Sequence, residues 1–218
     1  MKKWAFITLL GTSSLCLSES QQAVGASTAE VLTIESLLSP RHEEQIDRYM
    51  LAYMESPMHQ SAELKERMQR FFPMIEYKLS QAGLPLDLKY MTIVESRLEW
   101  EAQSHVGATG LWQLMVPTAR YCGLTVDYWV DERLDPERAT DAAIYYLQDL
   151  YNQFEDWGLV LAAYNAGPGR VRKAMRLSGA SSFSDIIRYL PRETRQYIPR
   201  FLAAKSYIQE EIEGERVR

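Results

Sequence analysis

An all-α domain is what this sequence predicts, and three observations carry that reading. Apolar residues recur at three- and four-residue steps from Ile46 to Tyr207, which is the period of a helix with one buried face. No segment alternates apolar and polar residues convincingly enough to make a half-buried strand. The stripes are separated by Gly, Pro or capping residues, the usual punctuation of helix ends. There is no internal repeat and no low-complexity tract.

Met1-Lys2-Lys3 and the apolar run from Trp4 to Leu17 read as a secretory leader, too short and polar for a comfortable membrane span. Small residues at Val24-Gly25-Ala26 place its cleavage after Ala26, so residues 1–26 are the leader and the protein is exported. Cys16 offers a lipid-anchoring alternative, which would give membrane association, but the bulky Leu15 before it disfavours that. Without the leader, Cys122 is the sole cysteine and no intramolecular disulfide can form.

Residues 27–60 are expected to be a linker and one N-terminal helix, carried by Ile46, Tyr49, Met50 and Tyr53 and ended by Pro57. Ser61 then caps a helix with Leu64, Met68, Phe71, Phe72, Ile75 and Leu79 on one face, which Pro73 is placed to kink. Gly83 closes it. Pro85 opens the next helix, where Leu86, Leu88, Tyr90, Met91, Ile93 and Val94 leave little polar surface before Glu95. A helix apolar on most sides is a buried one.

A loop around Gly107, Ala108 and Gly110 comes next, then Leu111 to Met115, ended by Pro117. Thr118 to Tyr121 makes a short helix, and Val126 to Leu134 is loop-like. Asp135-Pro136 starts a helix running to about Phe154. Trp157 to Ala166 is nearly all apolar and stops at Gly167-Pro168-Gly169. Helices at Val171 to Leu177 and Phe183 to Leu190 precede a last one from Pro191, with Tyr197, Ile198, Phe201, Leu202 and Tyr207. Residues 209–218 form a charged tail. The domain proper is therefore 61–208.

Composition excludes several functions. The 218 residues are 46% hydrophobic, enough for one globular domain and a tail. A net charge of −5, with no basic stripe, argues against nucleic acid as a partner. His42, His59 and His105 are scattered without metal-ligand spacing, and the cysteines form no CxxC pair. No metal and no cofactor is expected.

Glu95 is the residue that asks for a function. A carboxylate at the end of a buried helix has its charged form disfavoured by desolvation and by the helix dipole. Both raise its pKa, as a general acid requires. A structural glutamate paired with Arg97 or another base is the alternative. Glu99, Glu101, Asp127 and Asp131 lie in polar segments and read as solvated charges.

Two blocks decide between these readings. Glu95-Ser96, Ser104, Gly107-Ala108-Thr109-Gly110-Leu111-Trp112-Gln113, Met115 and Pro117-Thr118-Ala119 closely resemble the catalytic region of family 1 (soluble-type) lytic transglycosylases. Ala162-Ala163-Tyr164-Asn165-Ala166-Gly167 matches that family's AYNAG motif, in the family's order and at about its separation. The resemblance covers roughly Leu64 to Tyr207. Gly83-Leu84-Pro85 and Trp112 look most like the membrane-bound type D subgroup.

The resemblance implies a lysozyme-like helical fold, peptidoglycan glycan strands as partner, the bacterial envelope or periplasm as location, and a monomer. It makes Glu95 the one acid, then base, of a cleavage between N-acetylmuramic acid and N-acetylglucosamine that leaves a 1,6-anhydro product. Substrate contacts fall by position on Ser104, Gln113 and Met115. Tyr164 is implied beside the carboxyl, able to orient it. Asn165 fixes the helix end or a substrate group. Glu193, in the block Glu193-Thr194-Arg195 with Tyr197, lines the groove or merely stabilises its own helix. Trp112 either stacks on sugar or packs. A hydrolytic lysozyme or a non-catalytic peptidoglycan-binding domain on the same scaffold are the competing functions.

Overall fold

The computed structural model describes residues 47–52, 55 and 62–209. The leader, its cleavage point, Cys16, the linker from Ser27, the Ser61 cap and residues 210–218 of the tail lie outside the described residues. Within them the structure is helical, with three isolated antiparallel β-bridges: Gln103 to Thr109, Thr109 to Leu114 and Val126 to Asp131.

Eight helices succeed one another along residues 62–209: α1 (Ala62–Gln81), α2 (Met91–Ser96), α3 (Val116–Tyr121), α4 (Pro136–Phe154), α5 (Trp157–Ala166), α6 (Pro168–Ser178), α7 (Phe183–Ile186) and α8 (Arg192–Tyr207). Residues 47–52 are also helical, with Tyr49 and Met50 packed against the core. No helix among the described residues is long and apolar enough to cross a membrane.

The apolar α5 is the centre. Its residues are buried almost throughout, and it packs against α4, α6 and α8. Each Leu or Val so enclosed contributes roughly 1.5–3 kcal/mol from apolar burial. Asp156 caps it, accepting the Leu159 N–H at 2.8 Å. Gly158 permits the contact with α7. A Cβ there would lie 2.8 Å from Cβ of Phe183.

The helix that delivers Glu95 departs from expectation. It is not one α-helix but a 3-10 segment, Leu86–Tyr90, joined to the six-residue α2. Lys89 is buried in that segment, and its Nζ donates to Glu76 at 2.6 Å while lying over the rings of Phe72 and Tyr90. The tight turn fits these polar bonds into an otherwise apolar layer. Helix α1 runs through Pro73 without a break in its helical span. Pro117, expected to end a segment, lies in the first turn of α3. The stretch expected as one helix from Phe183 divides into α7 and a 3-10 turn, Ile187–Tyr189.

Candidate active site

Helix α2 stops abruptly one residue after Glu95. Arg97 and Leu98 both adopt left-handed backbone, with φ of 53° and 59°, at a cost of about 1–3 kcal/mol per non-glycine residue. Local bonds hold them there: the N–H of Arg97 donates to Ile93 O at 3.1 Å and that of Leu98 to Thr92 O at 3.2 Å. Leu98 is fully buried. Arg67 donates to the carbonyl of Arg97 and, with Arg97, to Glu99. Arg97 is thus the partner of Glu99, and the structural pairing considered for Glu95 is absent.

Glu95 keeps an edge open to solvent, yet its carboxyl is enclosed. Burial pushes its pKa up to about 7, opposed by the Tyr197 hydrogen bond and supported by the negative charge of Glu193. The Tyr197 hydroxyl donates to Oε1 at 2.6 Å. Tyr197 is buried on α8, one helical turn from the exposed Glu193, so an i, i+4 pair brings both residues to the carboxyl.

Tyr164 comes close enough to feel the charge of Glu95, but its hydroxyl donates to the carbonyl of Trp112 at 2.8 Å. It ties α5 to the loop that carries Gln113. Burial holds its pKa well above the phenol range, so it stays a donor. Beside it, the amide oxygen of Asn165 accepts from the Thr194 hydroxyl at 2.9 Å, joining α5 to α8.

The loop after Glu95 is built from polar side chains gripping backbone. Ser104 Oγ accepts the Ala108 N–H at 2.9 Å, and Ser104 N–H donates to Ala108 O at 2.8 Å. Gln113, itself left-handed at φ 48°, donates through Nε2 to Ala102 O and Gly110 O. That leaves its Oε1 as the acceptor available to a ligand. Ser96 Oγ donates to Leu111 O at 2.9 Å, fixing the loop to α2. Met115 is exposed. Trp112 is fully buried, its Nε1 donating to Thr140 at 2.9 Å, so its indole packs and does not face sugar. Beyond Met115 a cleft of about 390 Å³ opens between α3, α4 and α6, with Pro117, Thr118, Tyr146, Asp149 and Arg172 among its walls. Its Tyr146 ring lies 5.7 Å from that of Tyr164.

Arg133 is the residue that sequence reasoning missed. It is buried, donates through Nη1 to Gly107 O at 2.8 Å and Leu114 O at 2.9 Å, and pairs with Asp131 at 2.6 Å. Asp131 is therefore no solvated charge: the guanidinium holds its carboxyl below the usual range. Gly110 lets this strap close, since a Cβ there would stand 2.0 Å from Arg133 O. No periodicity marks an arginine of this kind. An Arg following an Asp at two residues is the only trace it leaves. Asp127 is likewise occupied, accepting the N–H groups of Trp129 and Val130. Among the described residues no cluster of His, Cys, Asp or Glu is placed to hold a metal ion.

A small helical domain with one desolvated carboxyl among the described residues, a tyrosine on it and a side-chain-braced loop beside it defines a class, the lysozyme-like helical fold. The family described as the transglycosylase SLT domain matches residues 73–187, and the chain belongs to that family. Membrane-bound lytic murein transglycosylase D of Escherichia coli (strain K12) is 38% identical over 129 residues, covering 58% of this chain and 28% of that protein. The lytic transglycosylase Slt of Pseudomonas aeruginosa, solved as an inactive mutant, is similar at 31% identity and a TM-score of 0.53, over 63% of this chain and 24% of that one. The 70 kDa soluble lytic transglycosylase of Escherichia coli gives 26% identity and a TM-score of 0.57, over 78% and 29%. The matches thus span only 24–29% of these relatives.

Proposed function

We propose that the chain cleaves the β-1,4 bond between N-acetylmuramic acid and N-acetylglucosamine in peptidoglycan, forming a 1,6-anhydro end. The observation that carries this is the Glu95 carboxyl, raised to about 7 and held by Tyr197. An acid of that pKa is protonated in a useful fraction near neutrality and its conjugate base is strong enough to take a proton back. Glu95 donates its proton to the glycosidic oxygen as the C1–O bond breaks and an oxocarbenium-like centre develops. The resulting carboxylate removes the proton from the C6 hydroxyl, whose oxygen then bonds to C1. The proton returns to Glu95, and no water is consumed.

Ser104, the Gln113 Oε1, Met115 and the Tyr164–Asn165 helix end supply the walls along which the strand lies. The relatives named for membrane-bound and soluble murein transglycosylation support this substrate, and with it the cell envelope as location. The leader at 1–26, export to the periplasm, a monomeric state and the domain limits of 61–208 belong to the same proposal.

One observation favours a second reading. Glu193 is exposed and near enough to act on Glu95, and a second carboxylate can activate water in an inverting hydrolase. Digesting purified sacculi and identifying the new ends by mass spectrometry separates the two. Anhydromuramic ends are expected, and predominantly reducing muramic ends would overturn the transglycosylase.

A further inference from the structure

The geometry points to a second saccharide platform outside the cleft, formed by Tyr128 and Trp129 at the tip of the loop between α3 and α4. The inference rests on the reading of this protein as a glycan-strand enzyme and adds a site to it. Tyr128 and Trp129 are 89% and 86% exposed, more than any other large hydrophobic residue described. Their rings meet edge to face at 4.8 Å and 89°, which leaves ring faces turned to solvent.

The loop that lifts them is stiff. Asp127 Oδ1 accepts the N–H of Trp129 at 2.8 Å and of Val130 at 2.9 Å, and Asp127 N–H donates to Val130 O at 2.8 Å. Arg120 grips the carbonyl of Val126 from α3. Thr125 and Glu132 close the base with two bonds, Thr125 N–H to Glu132 Oε2 at 2.7 Å and Glu132 N–H to Thr125 O at 3.0 Å. With the backbone that carries the rings already fixed by these bonds, the loop itself has little ordering entropy left to lose on binding. The platform is also mounted on the catalytic loop. Arg133, which bonds Gly107 O and Leu114 O, lies four residues beyond Trp129, at most about 14 Å of chain.

Size and charge select the occupant. Each aromatic residue buries about 150–250 Å², so the pair offers about 300–500 Å², short of the roughly 800 Å² per partner of a stable protein interface. At the base of the tip Asp131 is paired with Arg133 and Glu132 with Arg138, so no unpaired cation is offered there, and the whole chain carries −5, which disfavours the anionic surface of a bilayer or a nucleic acid. A pyranose ring fits both constraints. Its flat C–H face packs on an indole, while its hydroxyls meet the exposed Asp127 and the Tyr128 hydroxyl at the rim. A strand of several sugars can then lie in the cleft and on the tip together.

The test compares Glu95→Gln with the same protein carrying Tyr128→Ala and Trp129→Ala, each incubated with purified sacculi, with bound protein measured by depletion. Affinity is expected to fall about fivefold or more, and Trp129→Phe should recover most of it. In the otherwise unsubstituted protein the double substitution should leave kcat and KM on a soluble tetrasaccharide unchanged. Equal depletion of the two proteins would overturn the platform, as would a loss confined to phosphatidylglycerol vesicles. Because depletion needs no turnover, an inactive enzyme would count against the proposed reaction and leave this comparison standing.

Discussion

Helices α4 and α5 and the segment from Arg97 to Arg133 hold their shapes by different means. In α4 and α5 the backbone bonds to itself, apolar faces do the rest, and Asp135 and Asp156 close the N-termini. Between Arg97 and Arg133 the chain has three short bridges and little regular structure. There Ser96, Ser104, Gln113, Arg120 and Arg133 satisfy backbone groups with their side chains. The first region depends chiefly on size and period, with specific contacts at Thr140, Gly158, Tyr164 and Asn165. The second depends on individual donors. Glu95 sits on the seam, rooted in the apolar layer and facing the polar loop, which is how its carboxyl is desolvated yet reachable.

Substitutions can break or sharpen that contrast. The largest effect belongs to the seam. Glu95→Gln should lower turnover about a thousandfold or more, within the range of lost general acid–base catalysis, as measured by release of soluble fragments from sacculi. The same variant should be the more stable protein at alkaline pH. The folded carboxyl titrates near 7 and the unfolded one near 4.5, so wild type loses stability as pH rises from 4.5 to 7, and the deficit stays constant above that. Denaturation at pH 8 should favour the variant by about 1–3 kcal/mol, with the gap closing below pH 4.5.

Next comes the strap. Arg133→Met leaves Asp131 without its cation and takes one of two donors from each of the Gly107 and Leu114 carbonyls, which should destabilise the domain by about 2–4 kcal/mol, read from urea midpoints. If the polar loop were held by apolar packing like α4, the loss would be under about 1.5 kcal/mol.

A smaller change tests the tyrosine. Its hydrogen bond lowers the Glu95 pKa, so Tyr197→Phe should move the alkaline limb of the pH–rate profile upward while slowing the reaction about tenfold. An unmoved limb would show that the bond does not act on the acid. Smallest of all, Asp135→Ala removes a cap in the regular region and should cost about 1 kcal/mol in thermal stability, with turnover unaltered.

The same contrast explains what was legible in the sequence. The stripe Leu64 to Leu79, the apolar run of α5 and the Asp135-Pro136 start are local signals with a fixed period, and they became helices near the expected limits. The burial of Glu95 was legible because a carboxylate among Ile93, Val94 and Met91 is conspicuous, whereas its role was read only from the resemblance of the two motif blocks. Arg133 and the bond from Tyr197 to Glu95 were not, since each joins residues far apart in the chain that no short pattern links. Trp112 could not be assigned because loop position says nothing about which way an indole turns. Its Nε1 bond to Thr140 settles it as core. Leu86 to Ser96 read as one helix because a segment apolar on most sides carries too little period to tell a 3-10 turn from an α-turn.

The short bond from the Tyr197 hydroxyl has a stereochemical consequence. By occupying Oε1 as an acceptor, it assigns the labile hydrogen of the neutral acid to Oε2. The two oxygens of Glu95 are thereby made unequal before any sugar arrives, and only one face of the carboxyl can deliver.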